Sequence, residues 1–212
     1  MAPFIRLILL LATILELALA VVLVVLFTCA HKYDYNMVLW TAGGARGWNS
    51  DPALRVYDYA NYRQPPPIPA IWDQSTPTTN FYIAGFTTLL WVIRLKINLS
   101  NSRGLDLCTV LTTNVLYDML MIALWTSSIS LQRAADFSDH EHLSVTPWYL
   151  AHECEEAARD AYTACRMAKA SYQLSLFTAI WFGLRLMSTC IYAAFLYGMQ
   201  MGSKEFGKGV FT

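Results

Sequence analysis

The sequence is poor in charged residues, which make up 14% of its 212 residues and sum to a formal net charge of +0. An ordinary soluble domain carries about 25%. So low and so balanced a charge excludes a disordered chain, a basic nucleic-acid-binding protein and most soluble enzymes. The hydrophobic share of 56% instead predicts an integral membrane protein of one domain, 1–212, whose partner is the lipid bilayer rather than nucleic acid.

Motifs for catalysis and cofactor binding are also missing. The sequence has no CxxC pair for thiol oxidation, no GxSxG nucleophile elbow and no glycine-rich phosphate loop. No histidine falls within the long apolar stretches, which argues against a haem held between transmembrane imidazoles, and the filter sequence of potassium channels is absent. We therefore expect a protein that is not an enzyme, with no catalytic residues, no cofactor and no metal site.

Four apolar stretches are long enough, or nearly so, to cross a bilayer. A hydrocarbon core about 30 Å thick needs about 20 apolar residues in a helix, because backbone polar groups find no partner in lipid. The predicted spans lie at about 5–27, 79–95, 105–131 and 172–199, and the second is marginal in length. The sequence thus predicts an all-α membrane protein, a bundle of four transmembrane helices.

The first stretch also resembles a secretory signal, since Arg6 precedes the apolar run and the segment 18–20 offers small residues at a cleavage spacing. The run continues through VVLVVLF without becoming polar, which favours a span that is retained in the mature protein.

Basic residues near the short segments predict the orientation of the chain. The link between the second and third spans contains Arg94, Lys96 and Arg103, and the tail at 200–212 carries two lysines. Lys and Arg in short loops favour the cytoplasmic side, so both termini are expected in the cytoplasm. Four basic residues flank spans on the opposite side, namely Lys32, Arg133, Arg166 and Lys169. The sequon at 98–100 then lies inside, and a glycan there would overturn this topology.

The first long loop, 28–78, is rich in large aromatic residues: Tyr33, Tyr35, Trp40, Trp48, Tyr57, Tyr59, Tyr62 and Trp72. A disordered linker rarely holds so many, so we expect the two long loops to form an ordered extracytoplasmic cap on the outer membrane face. The proline run at 65–69 is consistent with a polyproline ligand for a partner, although a stiff extended connector is favoured.

The second long loop, 132–171, is acidic and contains three of the four histidines. The segments 139–142 and 152–156 together could supply imidazole and carboxylate ligands to a divalent metal. Their spacing matches no established site, and no HExxH is present. A solvated acidic face is therefore the favoured interpretation.

Five cysteines are present, and three of them, Cys29, Cys154 and Cys165, fall where disulfides can form. Cys154 and Cys165 are the natural pair, but strong helix formers lie between them. On one unbroken helix they would be about 16 Å apart, whereas a bridge needs Cα atoms within about 7 Å. A bent, bridged segment is favoured, with Cys29 as the competing partner, and Cys108 and Cys190 are expected to be free thiols at membrane depth.

Three charged residues fall near the middle of predicted spans: Glu16 in the first, Asp118 in the third and Arg185 in the fourth. Each alone would cost about 3 kcal/mol or more at the bilayer centre, so we expect them to face one another. This trio carries one surplus negative charge unless an acid is protonated. It is consistent with proton or cation translocation, but a buried clamp that fixes helix contacts is favoured.

Small residues recur at four-residue spacing on the fourth span, at Ala194, Gly198 and Gly202. Such a stripe lets two helices approach closely. We expect it to pack within the bundle, and a contact with a second copy of the chain is the alternative.

Part of the chain, about 116–202, resembles MARVEL-domain proteins, especially the fungal members. The resemblance rests on four spans with both termini inside, on Asp118 in the third span, on Cys165 and Ala170 before the last span and on Arg185 midway along it. It implies a protein without enzymatic activity in the plasma membrane or secretory pathway, which organises lipid domains, trafficking or membrane curvature.

The sequence therefore predicts a membrane scaffold that binds a membrane-protein partner or a second copy of itself. The alternatives are an accessory subunit of a larger membrane complex, or a small channel or transporter that uses Glu16, Asp118 and Arg185.

Overall fold

The computed structural model of the protein describes residues 3–101 and 107–208. Within these ranges the chain is all-helical and contains no β-strand. The helices are α1 (Pro3–Lys32), α2 (Tyr35–Gly44), α3 (Pro52–Ala60), α4 (Ser75–Asn101), α5 (Leu107–Gln132), α6 (Trp148–Ala151) and α7 (Tyr162–Lys208), with 3-10 turns at Cys154–Glu156 and Arg159–Ala161.

The four long helices pack around one another. The largest contacts join α5 to α7 and α1 to α4, and contacts of α1 with α7 and of α4 with α5 complete the arrangement. Buried apolar side chains from all four helices fill the centre: Leu23, Phe27, Ile83, Ala84, Tyr117, Met121, Trp125 and Phe182. We call this set the long-helix core.

Three helices in the described ranges are long and apolar enough to cross a membrane. They are Leu10–Lys32, Cys108–Gln132 and Arg159–Gly198, and they correspond to the first, third and fourth predicted spans. The second predicted span, 79–95, lies in α4 but is not among them. Its helix opens on the polar sequence STPTTN and carries Arg94 and Lys96 near its other end, so too little of it is apolar.

Two helix boundaries differ from the sequence prediction. The supposed link that contains Arg94 and Lys96 is helical, because α4 continues to Asn101, whereas Arg103 lies outside the described residues. At the other end of the chain, α7 begins at Tyr162 rather than near 172. No Pro or Gly interrupts this segment before Gly183, so its basic residues lie on the helix instead of in a loop.

The two long loops are ordered and pack against each other. Short helices and turns bring together a second set of buried side chains: Leu39, Trp40, Ala42, Ile71, Trp72, Trp148, Tyr149, Cys154, Ala161, Ala164 and Cys165. We call this set the loop core. Its members come from both loops and from the first turns of α7, so the loops form one folded unit at one end of the long helices.

Gly43 makes the closest backbone approach in the loop core. A Cβ atom at this position would meet the side chain of Asn49 and would lie 2.5 Å from Cδ1 of Trp148. Trp148 is 1% exposed, and its indole Nε1 donates a hydrogen bond of 2.8 Å to the carbonyl of Leu39. Any residue with a Cβ atom at position 43 would therefore clash with Asn49 and Trp148, and only glycine allows α2 to pack this close to the indole.

Candidate functional site

The side chains of Glu16, Asp118 and Arg185 meet inside the bundle of long helices. The guanidinium group of Arg185 forms ion pairs with both carboxylates. Both acids are buried, Asp118 completely. The spacing of the charges in the sequence thus corresponds to a single cluster in space, and helices α1, α5 and α7 each contribute one member.

Arg94 of α4 is a fourth member of this cluster. Its Nη1 lies 2.8 Å from Oε2 of Glu16, and its Nε donates a hydrogen bond of 2.9 Å to Oδ1 of Asn114. We call Glu16, Arg94, Asp118 and Arg185 the charge tetrad. Arg94 balances the surplus negative charge predicted for the trio, because two guanidinium groups then face two carboxylates and the tetrad is formally neutral.

Arg94 is not predicted as a member of this cluster from the sequence, because its place beside a short basic link makes it a marker of the cytoplasmic side. One signal could have identified it: Arg94 follows an apolar stretch directly, on a helix whose neighbours carry two buried acids and only one base. A buried carboxylate without a partner is costly, so the surplus acid itself pointed to a further base.

The ring of Tyr117 lies between the two guanidinium groups. Cζ of Arg94 is 4.8 Å from the ring centroid and Cζ of Arg185 is 5.1 Å from it. The ring of Phe182 also lies 5.1 Å from Cζ of Arg185. These cation–π contacts stabilise the two guanidinium groups, whose side chains are mostly buried.

Three polar atoms of the tetrad have no hydrogen-bond partner among the described residues: Oδ2 of Asp118 and Nε and Nη1 of Arg185. Nη1 of Arg185 is nevertheless ion-paired with Glu16. A cavity of about 100 Å³ lies beside Arg94 and is lined by Thr13, Trp91 and Leu95. Trp91 Nε1 donates a hydrogen bond of 3.2 Å to the carbonyl of Thr13 across its wall. The charges of the tetrad thus balance one another, while a few of its polar atoms have no hydrogen-bond partner.

A second polar centre, in the loop core, is built on Asp136. Its Oδ2 accepts hydrogen bonds from Oγ of Ser50 at 2.6 Å and from Nε1 of Trp72 at 2.9 Å. Its Oδ1 accepts from the backbone N of Ser138 at 3.1 Å and from its Oγ at 2.8 Å. Burial raises the pKa of Asp136, but the hydrogen bonds from Ser50, Ser138 and Trp72 outweigh burial and leave this pKa below its usual value. Asp136 therefore joins the two loops as a carboxylate.

The Cys154–Cys165 disulfide is present, and the predicted bend accompanies it. The two Cα atoms are 5.7 Å apart. Ala157 and Ala158, between the two 3-10 turns, have extended backbone conformations, which break the helix that the intervening residues favour. Cys29, the competing partner, is a free thiol, as are Cys108 and Cys190.

In the acidic second loop, histidines pair with single carboxylates and do not form a cluster of metal ligands. Nδ1 of His142 lies 2.8 Å from Oδ2 of Asp139, and Nδ1 of His152 lies 3.3 Å from Oε2 of Glu156. Within the described part of the chain, no three His, Cys, Asp or Glu side chains are placed to hold a metal ion. The two segments considered as metal ligands therefore do not converge.

The small residues of α7 have no close partner within the described chain. Ala194 and Gly198 are exposed, and a Cβ atom added at Gly198 would meet no atom within 4 Å. Within the described chain nothing covers this face of α7 at Gly198, and the expectation that the stripe packs inside the bundle stays a prediction. The side chain at Gly202 lies outside the described residues.

Comparison with known proteins adds no assignment to this geometry. The chain matches no known family, no curated protein and no solved structure.

Proposed function

We propose that the chain is a membrane scaffold without enzymatic activity, in which α1, α4, α5 and α7 all cross the bilayer. The loop core then forms an extracytoplasmic cap that binds protein or lipid partners, and both termini lie in the cytoplasm. The observation that carries this proposal is the charge tetrad, which takes one charged residue from each of the four long helices.

A neutral, ion-paired tetrad supports a structural role. A charge near the bilayer centre is expensive unless it is paired, and pairing across helices determines which helices touch and at what depth. Arg94 explains how α4 can take part, since this helix, whose apolar stretch is of marginal length, gains a partner for its buried base. We infer that α4 enters the membrane as part of the bundle rather than as an independent span.

The loop core supports a role in binding. Helix α3 has no buried residues, and it turns Val56, Tyr57 and Tyr59 outward with exposed fractions of 71%, 61% and 69%. Tyrosine is enriched in protein interfaces, where its ring adds contact area and its hydroxyl adds a hydrogen bond. The resemblance to MARVEL-domain proteins agrees with such a scaffold, which would organise lipid domains, trafficking or partner proteins in the plasma membrane or secretory pathway.

Reconstitution in liposomes tests the scaffold proposal. The purified chain is incorporated into vesicles that contain a pH-sensitive dye or a potassium indicator, and ion flux is measured after a gradient is applied. We expect the same flux as in vesicles without protein. If the protein conducts protons or cations, and Asp118→Asn or Glu16→Gln abolishes that flux, the proposal is wrong and the chain is a channel or transporter.

The second candidate function is a subunit of a larger membrane complex, or a small transporter. The unpartnered Oδ2 of Asp118 and the cavity beside Arg94 favour it, because buried acids in membrane proteins often belong to proton or ion pathways. Purification from native membranes followed by mass spectrometry separates the candidates. A large partner at constant stoichiometry supports an accessory subunit, and purification of the chain alone supports an autonomous scaffold.

A further inference from the structure

A second cavity, of about 40 Å³, lies where the long helices meet the loop core. This volume is enough for about three water molecules or for a polar group of similar size. Its wall includes Phe27 of α1, Asn80 of α4, Gln132 of α5, Tyr149 of α6 and Ser171 of α7. The cavity therefore lies on the axis of the molecule, at the common end of the four long helices.

The wall of this cavity is uncharged. Of the described residues that line it, none is Asp, Glu, Lys, Arg or His, and apolar side chains alternate with amides and hydroxyl groups. An ion in such a place would lose its hydration without gaining a counter-charge. The cavity accordingly selects a neutral group that forms hydrogen bonds.

Asn80 is the polar side chain in this wall that lacks a partner. It is 1% exposed, and its Oδ1 has no hydrogen bond to any described residue. The neighbouring Gln132 is already satisfied, since its Nε2 donates to the hydroxyl groups of Ser128 and Ser175 and its Oε1 accepts from Ser171.

A hydroxyl group is the ligand that best matches Asn80. Buried polar groups in folded proteins nearly always have a partner, so the oxygen of Asn80 calls for a donor in the cavity. A hydroxyl both donates and accepts, and it suits the side-chain amide in either of its two orientations.

Several half-buried residues of the wall belong to segments long and apolar enough to cross a membrane, and Tyr35 and Asn36 of α2 are half-buried as well. Ala30, Met167 and Ala168 are half-buried members of the lining. Ala30 belongs to the candidate span Leu10–Lys32, and the other two belong to Arg159–Gly198. An opening between the apolar residues Ala30 and Met167 would admit a molecule from the lipid phase more readily than one from water.

We propose that this cavity binds the hydroxyl end of an uncharged membrane lipid. Asn80 holds the hydroxyl, and the apolar body of the lipid leaves between Ala30 and Met167, since the cavity is too small for more than the polar end. Sterols and diacylglycerols share this chemistry. The inference rests on the proposed membrane placement of the chain, and it adds a ligand class that the scaffold proposal does not contain.

Native mass spectrometry of the full chain in a mild detergent tests the site. Cholesterol, a diacylglycerol and phosphatidylcholine are added separately at equal concentration, and the lipid retained per protein is measured. We expect at least one of the two neutral lipids to be retained about tenfold more than phosphatidylcholine. Retention of one but not the other identifies the source of the hydroxyl. Equal retention of all three lipids, or of none, overturns the proposal.

Two variants locate the bound lipid. Asn80→Leu removes the amide at nearly constant volume, and Ala30→Trp blocks the opening. Ala194→Trp is the matched control, since it adds the same bulk at an exposed position of α7 far from the cavity. We expect both cavity variants to lose the neutral lipid about tenfold and the control to keep it. Retention by Ala30→Trp, or equal loss in the control, contradicts the site.

The lipid site and the scaffold proposal can fail separately. Ion flux is measured on the same preparations in liposomes. Loss of lipid binding in vesicles that do not conduct leaves the scaffold proposal standing, whereas flux that depends on Asp118 overturns the scaffold and leaves the lipid measurement unchanged.

Discussion

Arg94 of α4 pairs with Glu16 of α1 across 2.8 Å, although 78 positions separate the two residues in the sequence. Glu16 also pairs with Arg185 of α7, so its carboxylate links α1 to both α4 and α7. The buried base of α4 is therefore neutralised by a single acid near the middle of the first helix.

Arg94→Met tests this pairing. The change leaves Glu16 and Asp118 to share one buried base, and breaking a buried ion pair in this way typically destabilises a protein by about 3–5 kcal/mol. We expect a lower thermal midpoint in detergent, measured by circular dichroism. Lys96→Met is the matched control, because Lys96 is exposed on the same helix. An Arg94→Met protein as stable as the control would contradict the structural role of the tetrad.

The double variant Glu16→Gln with Arg94→Met addresses charge balance directly. It removes one acid and one base, so the pair Asp118–Arg185 remains neutral. We expect this variant to be more stable than Arg94→Met alone, because no carboxylate is then left without a counter-charge. The same thermal measurement applies, and a double variant less stable than the sum of the two single changes would argue against this explanation.

Asp136 gives the loop core a pH dependence. Its pKa is lower in the folded protein than the value of about 3.9 expected in an unfolded chain, so the unfolded state binds more protons in that interval. The resulting stability is complete above about pH 4 and is lost as the pH falls through the folded-state pKa. We expect Asp136→Asn to be less stable than the wild type at pH 7 and to lose less stability on acidification.

Unfolding followed by tryptophan fluorescence between pH 3 and pH 7 measures this effect, since Trp72 donates to Asp136. Asp160→Asn is the control, because it removes an exposed carboxylate from the same loop. If Asp136→Asn and the control follow the wild-type profile, the hydrogen bonds to Asp136 do not stabilise the fold as described.

The disulfide supplies a separate contribution to stability. Cys154→Ser opens the bridge, and loss of a native disulfide commonly destabilises a small domain by about 2–4 kcal/mol. We expect one additional reactive thiol, at Cys165, and a changed mobility in nonreducing electrophoresis. Cys29→Ser, which removes a free thiol, leaves the bridge intact and is the control. An unchanged thiol count in Cys154→Ser would contradict the bridge.

Engineered glycosylation tests the proposed orientation. Arg63→Thr creates a sequon at Asn61, which is exposed in the first long loop. We expect this variant, expressed in a eukaryotic cell, to gain a glycan that an endoglycosidase removes. The natural sequon at Asn98 stays unmodified in the wild type if that end of α4 faces the cytoplasm. A glycan at Asn98, together with none at Asn61, would reverse the topology.

The apolar helices could be predicted from the sequence, because a long hydrophobic run indicates a buried or membrane-embedded helix almost regardless of context. This rule finds α1, α5 and α7. It does not place the ends of α7, since its first turns carry Arg166 and Lys169 and resemble a loop by composition. They lie on the helix because no Pro or Gly interrupts the segment there, and Cys165 in the same turns is buried in the loop core.

The partners of buried charges could be predicted only in part. The similar depth of Glu16, Asp118 and Arg185 along their helices indicates that they meet, since each is costly alone. The pairing of Arg94 could not be predicted in this way, because a count of basic residues treats every one of them as exposed to solvent. The hydrogen bonds of Asp136 could not be predicted either, because its donors Ser50 and Trp72 lie on the other loop. Contacts between residues so far apart in the sequence leave no periodic signal in it.

The length of α7 has a mechanical consequence. As one unbroken helix of 47 residues it extends about 70 Å, more than twice the thickness of a bilayer core of about 30 Å. One end is fastened to the loop core through Cys165, and Arg185 holds the middle. The helix is therefore held at two points, by the loop core near its start and by the charge tetrad near its middle, and its last turns lie beyond both.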